Sequence, residues 1–277
     1  MSLFACPVCG KPLSRGEKTY ACPAGHSYDI ASEGYVYLLP PNKKHSAEPG
    51  DGKTMVASRR RFLEKGYYQV FSDALNRLAA EYLPPRPKAV LDAGCGEGYY
   101  TGRLEKSLEG GPPGADLYGF DISKYAVRLA AKKYPGIFFA VGSTFHIPFL
   151  SGAADLAFNI FAPIVASEFR RVLRPGGVLI LAVPGPRHLY GLKEILYDVP
   201  YENVRKDIDY PGFRLLGRFP VKGEIVTSDR SAMRDLFAMT PYFWKTPRKG
   251  EERLEKADVL RTEIQFDFLV YRKAEGT

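Results

Sequence analysis

Sulfur and imidazole are scarce in this chain: its 277 residues include four cysteines, four methionines, four histidines and a single tryptophan. No apolar run approaches the roughly 18 residues that cross a bilayer, and the opening residues lack the apolar core of a signal peptide. No membrane partner is therefore expected, the chain reads as cytoplasmic, and that compartment argues against disulfides. Internal repeats and low-complexity tracts are also missing. Acidic residues are in deficit, 31 against 39 lysines and arginines, and the net charge of +8 favours an anionic partner without specifying nucleic acid. What remains, 45% hydrophobic and 25% charged residues, is the composition of a globular protein with material for one large or two small domains.

The few cysteines are not scattered. Three of the four fall within the first 22 residues, as Cys6-Pro7-Val8-Cys9 followed by Cys22, and His26 follows after three intervening residues. Two thiolates on one tight knuckle and a Cys/His pair on a second supply four ligands for tetrahedral zinc. The set leaves no open position for a reacting water, so the zinc is expected to be structural and to fold a segment too small for its own core.

The most informative stretch is Val90-Leu91-Asp92-Ala93-Gly94-Cys95-Gly96-Glu97-Gly98-Tyr99-Tyr100. It predicts a buried strand, a glycine turn that lets a ligand approach the backbone, and a helix whose free N–H groups face that ligand. A dinucleotide fingerprint requires a third glycine where this chain has Tyr99, and a carboxylate at Asp92 repels phosphate but accepts a hydrogen bond from an ammonium group. Both departures favour S-adenosylmethionine, which has an amino-acid end and no phosphate. Roughly 25 residues after the turn, Asp116-Leu117-Tyr118-Gly119-Phe120-Asp121 puts Asp121 at the end of a second strand, placed for ribose hydroxyls. Cys95, inside the turn, is a poor nucleophile.

Downstream, strands are expected at 137–141, 155–161 and 178–183, with helices at 125–134 and just before Pro175. This alternation implies an α/β fold with a doubly wound, mostly parallel sheet, helices on both faces and a ligand at the strands' C-terminal ends. Phe213 to Val221 and Ile264 to Tyr271, with a helix from Ser228 to Met239 between them, fit an antiparallel edge. Upstream, Tyr28 to Leu39 reads as one or two short strands closing the zinc segment. The chain thus divides into a zinc-binding module at 1–39, a basic linker and helix at 40–85, and a cofactor-binding domain at 86–277. Phe62, Tyr67, Tyr68, Phe71, Leu75 and Leu78 recur at helical spacing and suggest one helix running to about Tyr82, with Tyr67 or Tyr68 at the cofactor's mouth.

Other stretches admit two readings. Lys43, Lys44, Lys53, Arg59, Arg60, Arg61 and Lys65 face only Glu48, Asp51 and Glu64, which makes either a phosphate-contacting strip or an ordinary solvated helix face. Ser143, after the third strand, is placed for adenine. Asn159-Ile160-Phe161-Ala162-Pro163 ends the fourth strand, where carbonyls and a ring could orient and stack a flat base, or where a proline merely turns the chain. His188, after the fifth, could reach the cofactor's carboxylate or the substrate, or be a bystander. Met239 to Trp244 either caps the site or anchors in the core. No Asp–His pair at evident spacing identifies a general base.

Cys6, Cys9, Cys22 and His26, Glu33-Gly34-Tyr35-Val36, Arg59 to Tyr68, Asp92 to Tyr100, Asn159 to Pro163, Pro184 to Leu189 and Met239 to Trp244 together resemble the bacterial RlmA family, in that family's order. Its members are 23S rRNA guanine-N1 methyltransferases acting on a hairpin loop. The resemblance implies a class I SAM-dependent, Rossmann-like methyltransferase domain with a small N-terminal zinc-binding module, and a homodimer. It also implies zinc on Cys6, Cys9, Cys22 and His26 and contacts from Tyr68, Gly96, Glu97 and His188 to S-adenosylmethionine, beside Asp92, Gly94, Asp121 and Ser143. Asn159 and Phe161 are then the residues that position the guanine. Two rivals remain: a small-molecule methyltransferase of the same fold, and a non-catalytic zinc-ribbon RNA-binding protein.

Overall fold

The computed structural model describes residues 2–40, 49–109, 114–205 and 209–274. Lys43, Lys44 and Glu48, part of the basic stretch read from the sequence, lie outside them.

Three short strands, β1 (Ser14–Arg15), β2 (Thr19–Ala21) and β3 (Ser27–Asp29), make a small antiparallel ribbon. Next come β4 (Val36–Tyr37), the helices α1 (Lys53–Glu64) and α2 (Gln69–Tyr82), and β5 (Ala89–Ala93). The alternation then runs α3 (Tyr99–Leu108), β6 (Asp116–Asp121), α4 (Lys124–Lys133), β7 (Phe138–Val141), β8 (Ala154–Ile160), α5 (Ala166–Val172) and β9 (Leu173–Pro184). It closes with α6 (Tyr190–Leu196), β10 (Phe213–Thr227), α7 (Arg230–Ala238), a 3-10 turn at Pro241–Trp244, α8 (Arg248–Lys256) and β11 (Leu260–Lys273).

Eight strands form the main sheet in the order β10-β11-β9-β8-β5-β6-β7-β4, with β11 and β10 antiparallel and the other pairings parallel. The chain leaves β5 toward β6 and β7 and later returns to β8 on its other side. The order therefore reverses beside β5, at a crevice where open α/β sheets bind ligands.

Side chains alternate between the two faces, as a period of two requires. Val90, Phe158, Ile180, Phe266 and Phe268 join one core with α1, α2, α3, α4, α6 and α7. Leu91, Ala157, Leu179, Leu269 and Tyr271 point to the other face, which the short helix α5 shares with the ribbon residues Phe4, Leu13 and Tyr20. Helices do flank both faces, but on the second the ribbon covers area that one seven-residue helix leaves open.

Two local expectations are revised. Tyr28 to Leu39 does not belong wholly to the ribbon, because Val36–Tyr37 pairs in parallel with Ala140 and Val141 as the last strand of the main sheet. The single helix expected to run to Tyr82 is two helices, broken at Gly66, whose φ of 81° no continuous helix contains. Hydrophobic spacing persists across the break because both pieces pack on the same face, so periodicity alone could not show it.

Candidate active site and metal centre

In the ribbon, the ligand atoms of Cys6, Cys9, Cys22 and His26 all lie within 4.8 Å of one another. Cys6 Sγ is 3.5 Å and Cys22 Sγ 3.3 Å from His26 Nδ1, and Cys9 Sγ is 3.7 Å from Cys22 Sγ. Bonds of about 2.0–2.3 Å to a central ion give tetrahedral edges of about 3.3–3.8 Å, so the four atoms fit zinc. Tyr28 hydroxyl stands 3.2 Å from Cys6 Sγ, placed to donate to the thiolate and hold it in position.

The cofactor corner sits where β5 ends. Gly94 has φ 91°, and a Cβ there would lie 2.4 Å from Cβ of Ala162, so only glycine lets the turns after β5 and β8 touch. Asp92, 1% exposed, accepts a 2.5 Å hydrogen bond from Thr101 Oγ1 through Oδ2, while its Oδ1 is buried without a partner. Burial pushes its carboxyl up to about 8, opposed by the Thr101 hydrogen bond and reinforced by Asp121 and Glu97. Asp121 accepts from the Gly96 and Ser123 backbone N–H groups at 3.0 and 2.8 Å. Burial raises its carboxyl too, and those N–H groups and Arg59 oppose the rise. Glu97 is buried with Oε2 unpartnered; burial lifts its carboxyl and Arg59 pulls it back. Ser143 stands beside this group, since the neighbouring Gly142 N–H donates to Asp121 O at 3.0 Å, but Ser143 Oγ accepts from Phe145 N–H. A cavity of about 310 Å³ opens next to Asp121, between Pro49–Lys53 and Ile122–Arg128.

Arg59, read from the sequence as part of either a phosphate-contacting strip or a solvated helix face, instead reaches this corner. Its Nη2 donates to Asp51 at 2.6 Å, and its Nη1 lies 3.8 Å from where a Cβ on Gly96 would be. Three other cations of the strip are paired as well: Arg60 with Glu64, Arg61 by a two-pronged bond with Asp235 of α7, and Lys65 with Asp229. Arg61 and Lys65 tie the end of α1 to α7 and the residue before it, while the Arg60 pair lies within α1 itself.

A second group faces the ends of β8 and β9. His188 Nδ1 accepts from Gln265 N–H at 3.4 Å, which leaves the proton on Nε2, 3.5 Å from Tyr68 hydroxyl. Burial drives His188 down to about 3, with the charge of Lys193 adding to the effect, so the ring is neutral. Tyr68 is buried against Phe62, Phe266 and His188, and burial raises its hydroxyl. Phe161 is 52% exposed at φ 63°, a backbone state that a bulky residue keeps only where its surroundings enforce it. Its ring lies 6.1 Å from and nearly parallel to Phe71, and 5.3 Å from Phe266. Asn159 is buried with its carboxamide closing its own turn: Oδ1 accepts from Ala162 N–H at 3.2 Å and Nδ2 faces Pro163 O. It shapes the loop that presents Phe161. Tyr100 packs on Phe71 at 5.2 Å and links the two groups.

The residues sequence reasoning missed here are Arg59, Thr101, Tyr100 and Phe266. Only Thr101, nine residues after Asp92 on the helix that follows the turn, had a local signal. The orphaned oxygens of Asp92 and Glu97 suit an ammonium group, and the guanidinium beside them suits a carboxylate, so the corner fits the zwitterionic end of S-adenosylmethionine.

The N-terminal domain model of RlmA, a zinc ribbon, matches residues 4–47, and a methyltransferase-domain model matches residues 90–177. A Micromonospora griseorubida protein with the provisional name 23S rRNA (guanine-N1)-methyltransferase is 39% identical over 209 residues, 69% of this chain and 68% of that one. The chain belongs to that family. It is a methyltransferase, with S-adenosylmethionine as cofactor and a zinc ribbon at its N-terminus. Other relatives include the 23S rRNA (guanine(748)-N1)-methyltransferase of Streptomyces fradiae, 37% identical over 193 residues, 69% of this chain and 66% of that one. A provisionally named family member from Bacillus subtilis is 29% identical over 98% of both chains.

Proposed function

We propose that this methyltransferase modifies N1 of a guanine in a 23S rRNA hairpin loop. The observation that carries the reading is the joining of an RlmA zinc ribbon to a cofactor corner with unpartnered buried carboxylate oxygens. When bound, S-adenosylmethionine supplies a methyl group already activated by its sulfonium. Asp92 and Glu97 accept from the ammonium group, Arg59 meets the carboxylate, and Asp121 takes the ribose hydroxyls. Phe161, backed by Phe71 and Phe266, stacks the unpaired guanine, and the Asn159–Pro163 carbonyls orient its edge, so that alignment supplies most of the rate. Neutral His188 holds Tyr68 in place; its accepting nitrogen is already used by Gln265 N–H, so it is not the group that removes the N1 proton. The ribbon offers exposed Lys11, Arg15 and Lys18 to phosphates. An rRNA substrate implies a cytoplasmic reaction, and the resemblance implies a homodimer.

The test is methyl transfer from labelled cofactor to a 23S transcript, followed by reverse transcription, which stops at a guanine methylated on N1. A stop in one hairpin loop is expected. Label entering a metabolite extract but not the transcript would overturn the reading in favour of a small-molecule enzyme.

A further inference from the structure

We propose that Trp244 is a stacking platform for a second unpaired base of the RNA, beside the one that enters the methylation site. This rests on the rRNA reading above and adds a contact surface to it.

The sole tryptophan is 76% exposed, so it does not anchor the core as a hydrophobic residue in this segment would. The backbone that carries it is nonetheless held. The 3-10 turn that carries it is tied by Phe243 N–H to Thr240 O at 3.2 Å and by Lys245 N–H to Tyr242 O at 2.9 Å. Phe243 meets the indole edge-on, with centroids 5.0 Å apart at 87°. A large ring held outward on a rigid turn loses little conformational freedom when a flat partner covers it.

The surroundings identify that partner. Beside Trp244 stand Lys245, Arg248 and Lys249. Arg248 pairs with Glu252 at 3.2 Å and Lys249 lies 3.9 Å from Asp198, both exposed pairs of little worth that a phosphate can displace, so the ring has cations within the same segment, as single-stranded nucleic acid requires. The turn also abuts the site. Tyr242, two residues before Trp244, lies with its ring 5.6 Å from Lys193 Nζ, on the helix that begins two residues after His188. Tyr242 also bears electrostatically on Tyr68 of the second group, so the turn lies on the side of the fold where a hairpin loop would deliver its guanine to Phe161.

Because the chain has one tryptophan, its emission reports on this residue alone. The full-length protein is titrated with a transcript of the 23S hairpin, with binding followed independently by anisotropy of end-labelled RNA. Saturable quenching of the emission is expected, together with a loss of RNA affinity of about 5- to 150-fold in Trp244→Ala, the range for removing one aromatic from under one base. Trp244→Phe should recover most of that loss. Cofactor affinity by calorimetry and the melting temperature should stay at parental values in both variants. Hairpin binding with unchanged emission and undiminished affinity in Trp244→Ala would overturn the proposal while leaving the rRNA reading intact. A shift in oligomeric mass without a change in RNA affinity would also overturn it, making the turn a contact between copies of this chain. Failure of the parent protein to bind the hairpin at all would remove both readings.

Discussion

The carboxyl of Asp92 accepts one hydrogen bond, from Thr101, and its other oxygen is buried without a partner. Burial raises this group to about 8, so between roughly pH 4, where it ionises in the unfolded chain, and pH 8 the folded protein keeps a proton that the unfolded chain has lost. Its contribution to folding stability therefore falls as pH rises through that window. An ammonium group at Oδ1 favours the ionised form, so cofactor binding must expel the proton, and affinity should rise with pH and level off above about 8. Calorimetry at pH 7 in buffers of different ionisation enthalpy should show proton release, and Asp92→Asn should abolish the release and weaken binding. Arg59 has the converse role. Arg59→Ala should lower cofactor affinity about 10- to 100-fold, the worth of a charge-assisted hydrogen bond, and should barely change binding of adenosine, which lacks the carboxylate. His188 adds no step near neutrality, because burial has already moved it down to about 3.

Between elements, the same cations act as fasteners. Arg61 grips Asp235 with bonds of 3.0 and 2.5 Å and so fixes α1 to α7, while Lys133 of α4 and Arg60 share Glu64. Arg61→Ala leaves the buried Asp235 carboxylate unpaired, and a loss of about 1–3 kcal/mol is expected by urea unfolding, discounted because the arginine itself is half exposed. RNA affinity should change little, which separates this fastener from a phosphate contact. Sequence periodicity located most helices and strands within a few residues, because each core-facing side is apolar along its own length. It ran two helices together across Gly66, where both share a face, left α6 and α8 unread, and found a strand near β4 without showing that its partner is β7, far along the chain.

Across the whole molecule, the ribbon is part of the main core rather than an appendage. Phe4 packs edge-on against Tyr118 at 5.3 Å, and backbone bonds run from Ala5 N–H to Pro148 O and from Leu150 N–H to Leu3 O. Removing zinc should therefore destabilise more than the ribbon. With a chelator, or in Cys22→Ser, the melting temperature of the entire chain should fall and protease should cut within residues 6–30; an unchanged melting temperature would mean the ribbon is an independent unit. Among the described residues no helix is long and apolar enough to cross a membrane.

By itself the sequence determined the zinc ligands, the glycine corner with Asp92 and Asp121, and the parallel sheet. Each of these depends on residues near one another along the chain, where spacing dictates geometry. Tertiary structure alone decided that Arg59 belongs to the cofactor corner rather than to an RNA-facing strip, that Phe266 backs both His188 and Phe161, and that Trp244 stands outward. A side chain's partner across the fold depends on how distant segments pack, and one-dimensional spacing carries no record of that distance.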